Sequence, residues 1–248
     1  MSQVKWNVEH LGDVDSTNTW LAARAREGAA QGLVVYCDFQ RAGRGRLERQ
    51  WCAPANSSLL CSVLLTAPAP LVAPQWIVVA AALALCDALE LLTARRPVLK
   101  WPNDVLYGES KVAGLLAEVV STDTGLKVVI GMGVNLTDVD PSIARATSVL
   151  AATGVSLAPA QLLRSFLDAL AQRQSALDSP EGRADLSEKY ARSLSTLGRR
   201  VRVELTDGFV NGVAVGVDPD GALRVDTGSD VRAFSAGDVV HLRREDDV

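Results

Sequence analysis

Histidine is almost missing from the 248-residue chain: His10 and His241 are the whole complement, one near each end, and neither stands in a motif that would position it. A Ser-His-Asp triad, a Cys-His pair or a histidine-bound catalytic metal would have to be built from those two. Any chemistry here therefore runs on positioning and charge stabilisation. Cysteine is equally unpatterned, because Cys37, Cys52, Cys61 and Cys86 form no C-x-x-C pair and no zinc-ligand spacing. This excludes a metal knuckle and favours free thiols in a reducing compartment. Blocks of like charge are absent too, and a net charge of -4 weighs against a nucleic-acid footprint over the whole surface. The N-terminus lacks an apolar signal core. The longest apolar run, residues 76–92, carries Asp87 and Glu90 and is short for a bilayer span, so it reads as a buried helix. A cytoplasmic protein without membrane or nucleic-acid partner is the expectation.

What is present suits a globular enzyme, since 48% hydrophobic and 22% charged residues at this length build a core that needs no staple. Alternation of Val4, Trp6 and Val8 predicts an N-terminal strand over residues 1–10. A capped helix follows from residue 18, then strands at 33–39 and 58–66, a helix at 73–93, and a short strand at 97–101 stopped by Pro102. Strands at 105–107, 111–121 and 126–136 continue a sheet, and two helical patterns fill 159–197. Five short, evenly spaced strands from residue 200 to 243 then read as a small barrel. The fold class expected is α+β, with a mixed or antiparallel sheet under packed helices in a domain of residues 1–196, and a β-barrel at 197–248.

Three segments carry chemistry. Residues 40–51 alternate glycine with arginine between two strands, giving a backbone that can approach an anion closely and guanidinium groups for bidentate contacts to phosphate or carboxylate. A solvated basic turn or an RNA contact would look similar. Lys100-Trp101-Pro102-Asn103-Asp104, followed by Lys111 and Gly114, holds two of only five lysines. A lysine fixed at a strand end can present a compact charge to a phosphate or an oxyanion, although two solvated hairpin lysines would fit the same text. Gly131-Met132-Gly133-Val134-Asn135 lies inside an apolar strand, where glycine marks close approach of a ligand or another backbone. It lacks the third glycine and following helix of a dinucleotide fingerprint, and the chain has no P-loop.

In this order, together with Asp15-Ser16-Thr17-Asn18 and Lys111-Val112-Ala113-Gly114, these segments resemble the motif series of biotin protein ligases over residues 8–150 and on into the C-terminal barrel. The resemblance implies a class II synthetase-like catalytic fold with an SH3-like C-terminal barrel, and synthesis of biotinyl-5'-adenylate from biotin and Mg-ATP. The biotinyl group would then pass to one lysine of the biotin carboxyl carrier domain of an acyl-CoA carboxylase. It further implies that Ser16, Thr17 and Gln40 contact the ureido ring, with Asn18, Gly43 and Arg44 also on the biotin side. Gly114 and Gly131 would leave room for the bicyclic head and its tail, and Trp51 would wall the pocket. Arg44 and Arg46 would take the carboxylate and phosphate, bridged by Lys111. Lys100, Arg49, Asn103 and Asn135 would serve ATP or its metal, and Asn103 and Asp104 would be the Mg2+ ligands. Arg46, Lys111 and Lys100 would be the catalytic cations.

The adenylate must be kept from water, which implies that the 41–50 loop orders on ligand binding. Two departures stand out. Leu47 and Glu48 replace the arginine and glycine usual in the family loop, and the catalytic motifs begin within about ten residues of Met1, so no DNA-binding helix-turn-helix and no repressor role is expected. A lipoate or octanoate ligase would share the fold, but the Arg-Arg, triple-glycine and histidine features of those proteins are missing. A nucleic-acid-binding module fits less well, with few aromatics on the barrel strands.

Overall fold

The computed structural model describes residues 4–47, 49–66, 74–218, 221–235 and 237–242. β1 (Asn7–Val14), β2 (Leu33–Gln40), β3 (Ser58–Thr66), β4 (Val98–Lys100), β5 (Asp104–Tyr107), β6 (Ser110–Thr122) and β7 (Gly125–Asn135) form one 7-stranded sheet, ordered β1-β2-β3-β7-β6-β5-β4. Among these seven strands β1 and β2 are the parallel pair, with α1 (Thr17–Arg26) as the crossover that parallel pairing demands. The sheet is mixed, as expected.

Sequence explains the layering. β3 and β7 are nearly continuous apolar runs because both their faces are covered. On one face Cys61, Val63, Ile130 and Met132 meet α2 (Pro74–Thr93), backed by α4 (Pro159–Ala176). On the other, Leu64, Val129 and Val120 receive Leu21 and Ala25 of α1. By length and composition Trp76–Thr93 is enough to cross a bilayer, contrary to the expectation from the shorter run, but Ile77, Ala81, Leu85 and Leu89 are buried in the protein core. α3 (Val149–Thr153) and α5 (Pro180–Ser193) complete the helices.

β1 departs from its expected place. It starts at Asn7 and runs to Val14 on the sheet edge, where Val8 is 45% exposed, whereas Trp6, just before the strand, packs against the core. Residues 1–3 lie outside those described. All four cysteines are free, as expected.

Beyond α5, β8 (Arg200–Leu205), β9 (Gly208–Val217), β10 (Leu223–Asp226), β11 (Val231–Phe234) and β12 (Asp238–His241) make a second, wholly antiparallel sheet in the order β11-β10-β9-β8-β12. The expected end of the fifth strand, Arg243, lies outside the described residues. Its inward residues Val201, Val203, Leu223 and Val239 belong to the same apolar cluster as α2 and β7. The seam is also hydrogen-bonded. Ser195 gives its N–H and hydroxyl to Leu99 O (2.8 and 3.0 Å), and Trp101 Nε1 donates to Gly221 O at 3.1 Å. The end of β4, where Lys100 sits, is thus held by both parts of the chain.

Candidate active site

One register row builds the floor of the site. Lys100 pairs with Asp104, Asp104 with Gly114, Gly114 with Gly133, and Gly133 with Leu60. Directly paired residues project to one face. Two charged side chains therefore flank a bare glycine strip on the α1 side of the sheet. Beside that row, Leu116, Gly131 and Ser62 form the next. The cavity above, about 260 Å³, is closed on its far side by Asp238, Val239 and Val240 of β12.

Other side chains already use the glycine space. A Cβ on Gly131 would lie 2.1 Å from Asn18 Oδ1, and one on Gly133 would lie 2.4 Å from the Trp51 ring. Over Gly114 stand Lys111 Nζ (3.1 Å) and Trp51 again (3.2 Å). Among the described residues the buried Trp51 Nε1–H has no acceptor, which leaves a donor ready for a ligand.

At the α1 end, a polar chain links the residues expected on biotin. Gln40 Oε1 accepts from Thr17 N (2.8 Å) and Thr17 Oγ1 (3.0 Å), and the Ser62 hydroxyl bridges Thr17 Oγ1 (2.8 Å) and Asn18 Oδ1 (2.6 Å). Asn18 Nδ2 then donates to Glu118 Oε2 at 2.7 Å, and Glu118 pairs through its other oxygen with Arg44 at 2.8 Å. Ser16 caps α1 and lines the cavity beside them.

The 41–50 loop is not irregular throughout. Arg44 bridges Gln50, and Gly45 N donates to Arg49 O at 2.7 Å, which makes a narrow turn-back. Gly43 clamps its stem, receiving Trp51 N at 3.0 Å, and borders the outer groove rather than the main cavity. At the tip Leu47 is exposed with left-handed φ of 52°, and Glu48 lies outside the described residues. Arg46 Nη1 donates to Gly237 O (3.2 Å) and stands 3.8 Å from Asp238 Oδ1; Arg49 also pairs with Asp238. Lys111 Nζ contacts Asp104 Oδ1 at 2.5 Å and faces the Trp51 ring at 5.5 Å.

Burial lowers the Lys100 ammonium pKa, partly opposed by Asp104 and reinforced by Lys111. Asn103 faces the cavity with Nδ2 spent on Leu115 O (2.6 Å). Asn135 is not brought in: it does not line the cavity, and its amide holds Thr147 O at 3.0 Å.

Over residues 12–135 the chain matches the Biotin/lipoate A/B protein ligase family, and over 196–242 the Biotin protein ligase C terminal domain. It is 42% identical to the Biotin--[acetyl-CoA-carboxylase] ligase of Mycobacterium tuberculosis, with 94% of this chain and 88% of that one covered. The chain belongs to the biotin protein ligase family. The ligase of the same name from Paracoccus denitrificans is 35% identical, covering 86% of this chain and 91% of that one. Among solved structures, the biotin protein ligase from Aquifex aeolicus in complex with biotin and ATP aligns with a TM-score of 0.83 at 27% identity, covering 96% of this chain and 99% of that one.

In this biotin protein ligase four polar residues beside the site, Glu118, Ser62, Asp238 and Thr196, lie outside every motif of the sequence. Glu118 was findable, because it continues the Gly114-Leu116 alternation on the cavity face. Ser62, Asp238 and Thr196 carry no local signal. Thr196 Oγ1 accepts from Trp101 N (3.1 Å) and meets His241 Nε2 at 3.2 Å, so the dismissed His241 is a seam residue. Burial, with Lys100, Arg199 and Arg145 nearby and Glu109 opposing, lowers the His241 pKa from 6.5 to about 4. The unfolded chain then takes the proton first as pH falls, so the stabilisation is complete above about pH 6.5 and is lost toward pH 4. Thermal melts across that window should fall with acid, and His241→Gln should flatten the fall. An unchanged slope in the variant would assign the acid sensitivity elsewhere.

Proposed function

We propose that the cavity joins biotin and ATP to make biotinyl-5'-adenylate and then biotinylates a lysine of a biotin carboxyl carrier domain of an acyl-CoA carboxylase. The observation that carries this is the convergence of Arg44, Arg46, Arg49, Lys100 and Lys111 on one glycine-floored cavity. Biotin carboxylate is ionised near neutral pH and is itself the nucleophile, so the reaction needs no histidine. Its difficulty is the meeting of two anions, which at an effective dielectric of 20 repel by roughly 4 kcal/mol at about 4 Å. Cations fixed by the fold offset that repulsion without reorganising.

In this reading Thr17, Asn18 and Gln40 present the polar chain to the ureido ring, with Ser16 beside them, and Trp51 walls the bicyclic head over Gly133 and Gly114. Lys111 and Arg46 hold the carboxylate against the α-phosphorus. A carboxylate oxygen forms the new bond to phosphorus while the α–β bridging bond breaks, its electron pair leaving with pyrophosphate. Lys100 and Arg49 take the departing phosphates. The acceptor lysine amine then attacks the acyl carbon and AMP leaves, the amine's proton passing to solvent. The loop, lying over the cavity, excludes water from the mixed anhydride.

The donor set also suits magnesium, which prefers one or two protein oxygens plus phosphates. Asn103 keeps its carbonyl oxygen after Nδ2 is spent on Leu115, and Asp104 keeps Oδ2 beside the Oδ1 that meets Lys111. These two would hold the ion, whose contribution when bound is to neutralise phosphate charge. The catalytic part would span 1–196 and the C-terminal part 197–248, in the cytoplasm, where the four thiols stay reduced.

Biotin-dependent exchange of labelled pyrophosphate into ATP tests the reading, with lipoate and octanoate as parallel acids. Exchange with biotin alone is expected. Exchange with lipoate or octanoate but not biotin would overturn the pocket assignment, and none with any acid would overturn adenylation.

A further inference from the structure

We propose that Asp238 is the resting counter-ion of the arginine loop: a carboxylate from the C-terminal sheet that holds Arg46 and Arg49 over the cavity until nucleotide phosphates replace it. The inference rests on the reading that these arginines serve ATP. Arg46 and its Gly237 acceptor lie 191 residues apart, so only the docking of the second sheet brings this contact about. Asp238 opens β12, is 17% exposed in its side chain, and faces the cavity with Val239 and Val240.

The pairing is electrostatic without being well hydrogen-bonded. Arg46 Nη1 is 3.8 Å from Oδ1, beyond hydrogen-bond reach, and gives its hydrogen to Gly237 O instead. Oδ2 meets Arg49 Nη2, and among the described residues no other donor reaches this buried oxygen. Arg49 is 66% exposed, so a pair of this kind contributes little and exchanges readily for a stronger anion. Triphosphate oxygens accept bidentate guanidinium contacts and bring more charge, so they compete well for the same arginines. The Arg44–Glu118 pair differs. Glu118 is held at both oxygens, by Arg44 at 2.8 Å and by Asn18 Nδ2 at 2.7 Å, so it stays in place as part of the biotin side. Nucleotide arrival therefore exchanges one salt link, Asp238 to loop, for another, phosphate to loop. Through that exchange the C-terminal sheet sets the loop's resting position and sets a threshold for ATP.

Two measurements on Asp238→Asn test this. In biotin-dependent pyrophosphate exchange, the KM for ATP should fall about five-fold, the size of one partly exposed ion pair, and by more than the maximal rate changes. Without ligands, trypsin should cut the loop at Arg44, Arg46 or Arg49 faster than in the unaltered protein, and ATP should restore protection. Asp238→Glu, which keeps the charge, should return KM toward its original value, and matching melts of all three proteins establish that each is folded. A KM for ATP in Asp238→Asn at or above that of the unaltered protein overturns the proposal, because Asp238 would then assist the nucleotide or do nothing to it. Equal cleavage of the ligand-free loop in both proteins overturns it as well. Failure of the underlying reading looks different: the unaltered protein would show no biotin-dependent exchange at all.

Discussion

Lys111→Ala should lower biotin adenylation by about two to three orders of magnitude while the protein stays folded. The position of this lysine is set by its backbone, not by its ammonium. Lys111 N donates to Arg145 O at 2.7 Å and its carbonyl accepts from Thr147 N at 2.8 Å, so the segment stays pinned when the side chain is cut back. What goes is the charge that stands between Asp104 and the Trp51 face, over the Gly114–Gly133 floor. Loss of a half-exposed pair to Asp104 costs stability only about 0–1 kcal/mol, far less than the expected loss in rate. Arg46→Ala should lose a similar factor, because its guanidinium lines the same cavity as Lys111 and the two would hold the reacting anions together. Pyrophosphate exchange measures both, and melting curves separate chemistry from folding. Near-normal exchange in both variants would sink the catalytic assignment.

How far the chain is legible depends on whether a feature is local. The layers were readable because β7 is apolar at nearly every position and α2 over most of its surface, patterns that a doubly covered strand and a core helix produce. The motif residues were readable for a related reason: Lys100, Asp104, Gly114 and Gly133 lie on consecutive antiparallel strands, so closeness in sequence becomes closeness in register. α3 was missed because five residues from Val149 to Thr153 give too few turns for a period. β1 was misplaced because an edge strand has little core face to impose alternation. Asp238 and Thr196 were invisible for a different reason. Their roles exist only once β12 docks beside β8 and the second sheet closes the cavity, and no window of sequence contains that event. Gly133 lies between. The sequence marks it as a place of close approach, and only the structure says that Trp51 is what approaches.

That contact sets the second large effect: Gly133→Ala should weaken biotin binding by roughly one to two orders of magnitude, the 1–3 kcal/mol of an overpacked methyl. The added Cβ would stand 2.4 Å from Trp51 Cε2 and 2.7 Å from Nε1, closer than carbon atoms in folded proteins come. An indole cannot yield as a flexible chain end does, and the glycine belongs to a central strand paired on both sides by β3 and β6, which cannot retreat. Trp51 must therefore move off the floor, taking with it the wall proposed for the bicyclic head and the face that Lys111 overlies. Gly216→Ala is the matched control, since a Cβ there meets nothing within 4 Å. Calorimetric titration with biotin reads the difference directly. Unchanged affinity in Gly133→Ala, with the control also unchanged, would mean that the head of biotin does not lie against Trp51, and the polar chain from Gln40 to Glu118 would have to orient the ligand from the other end.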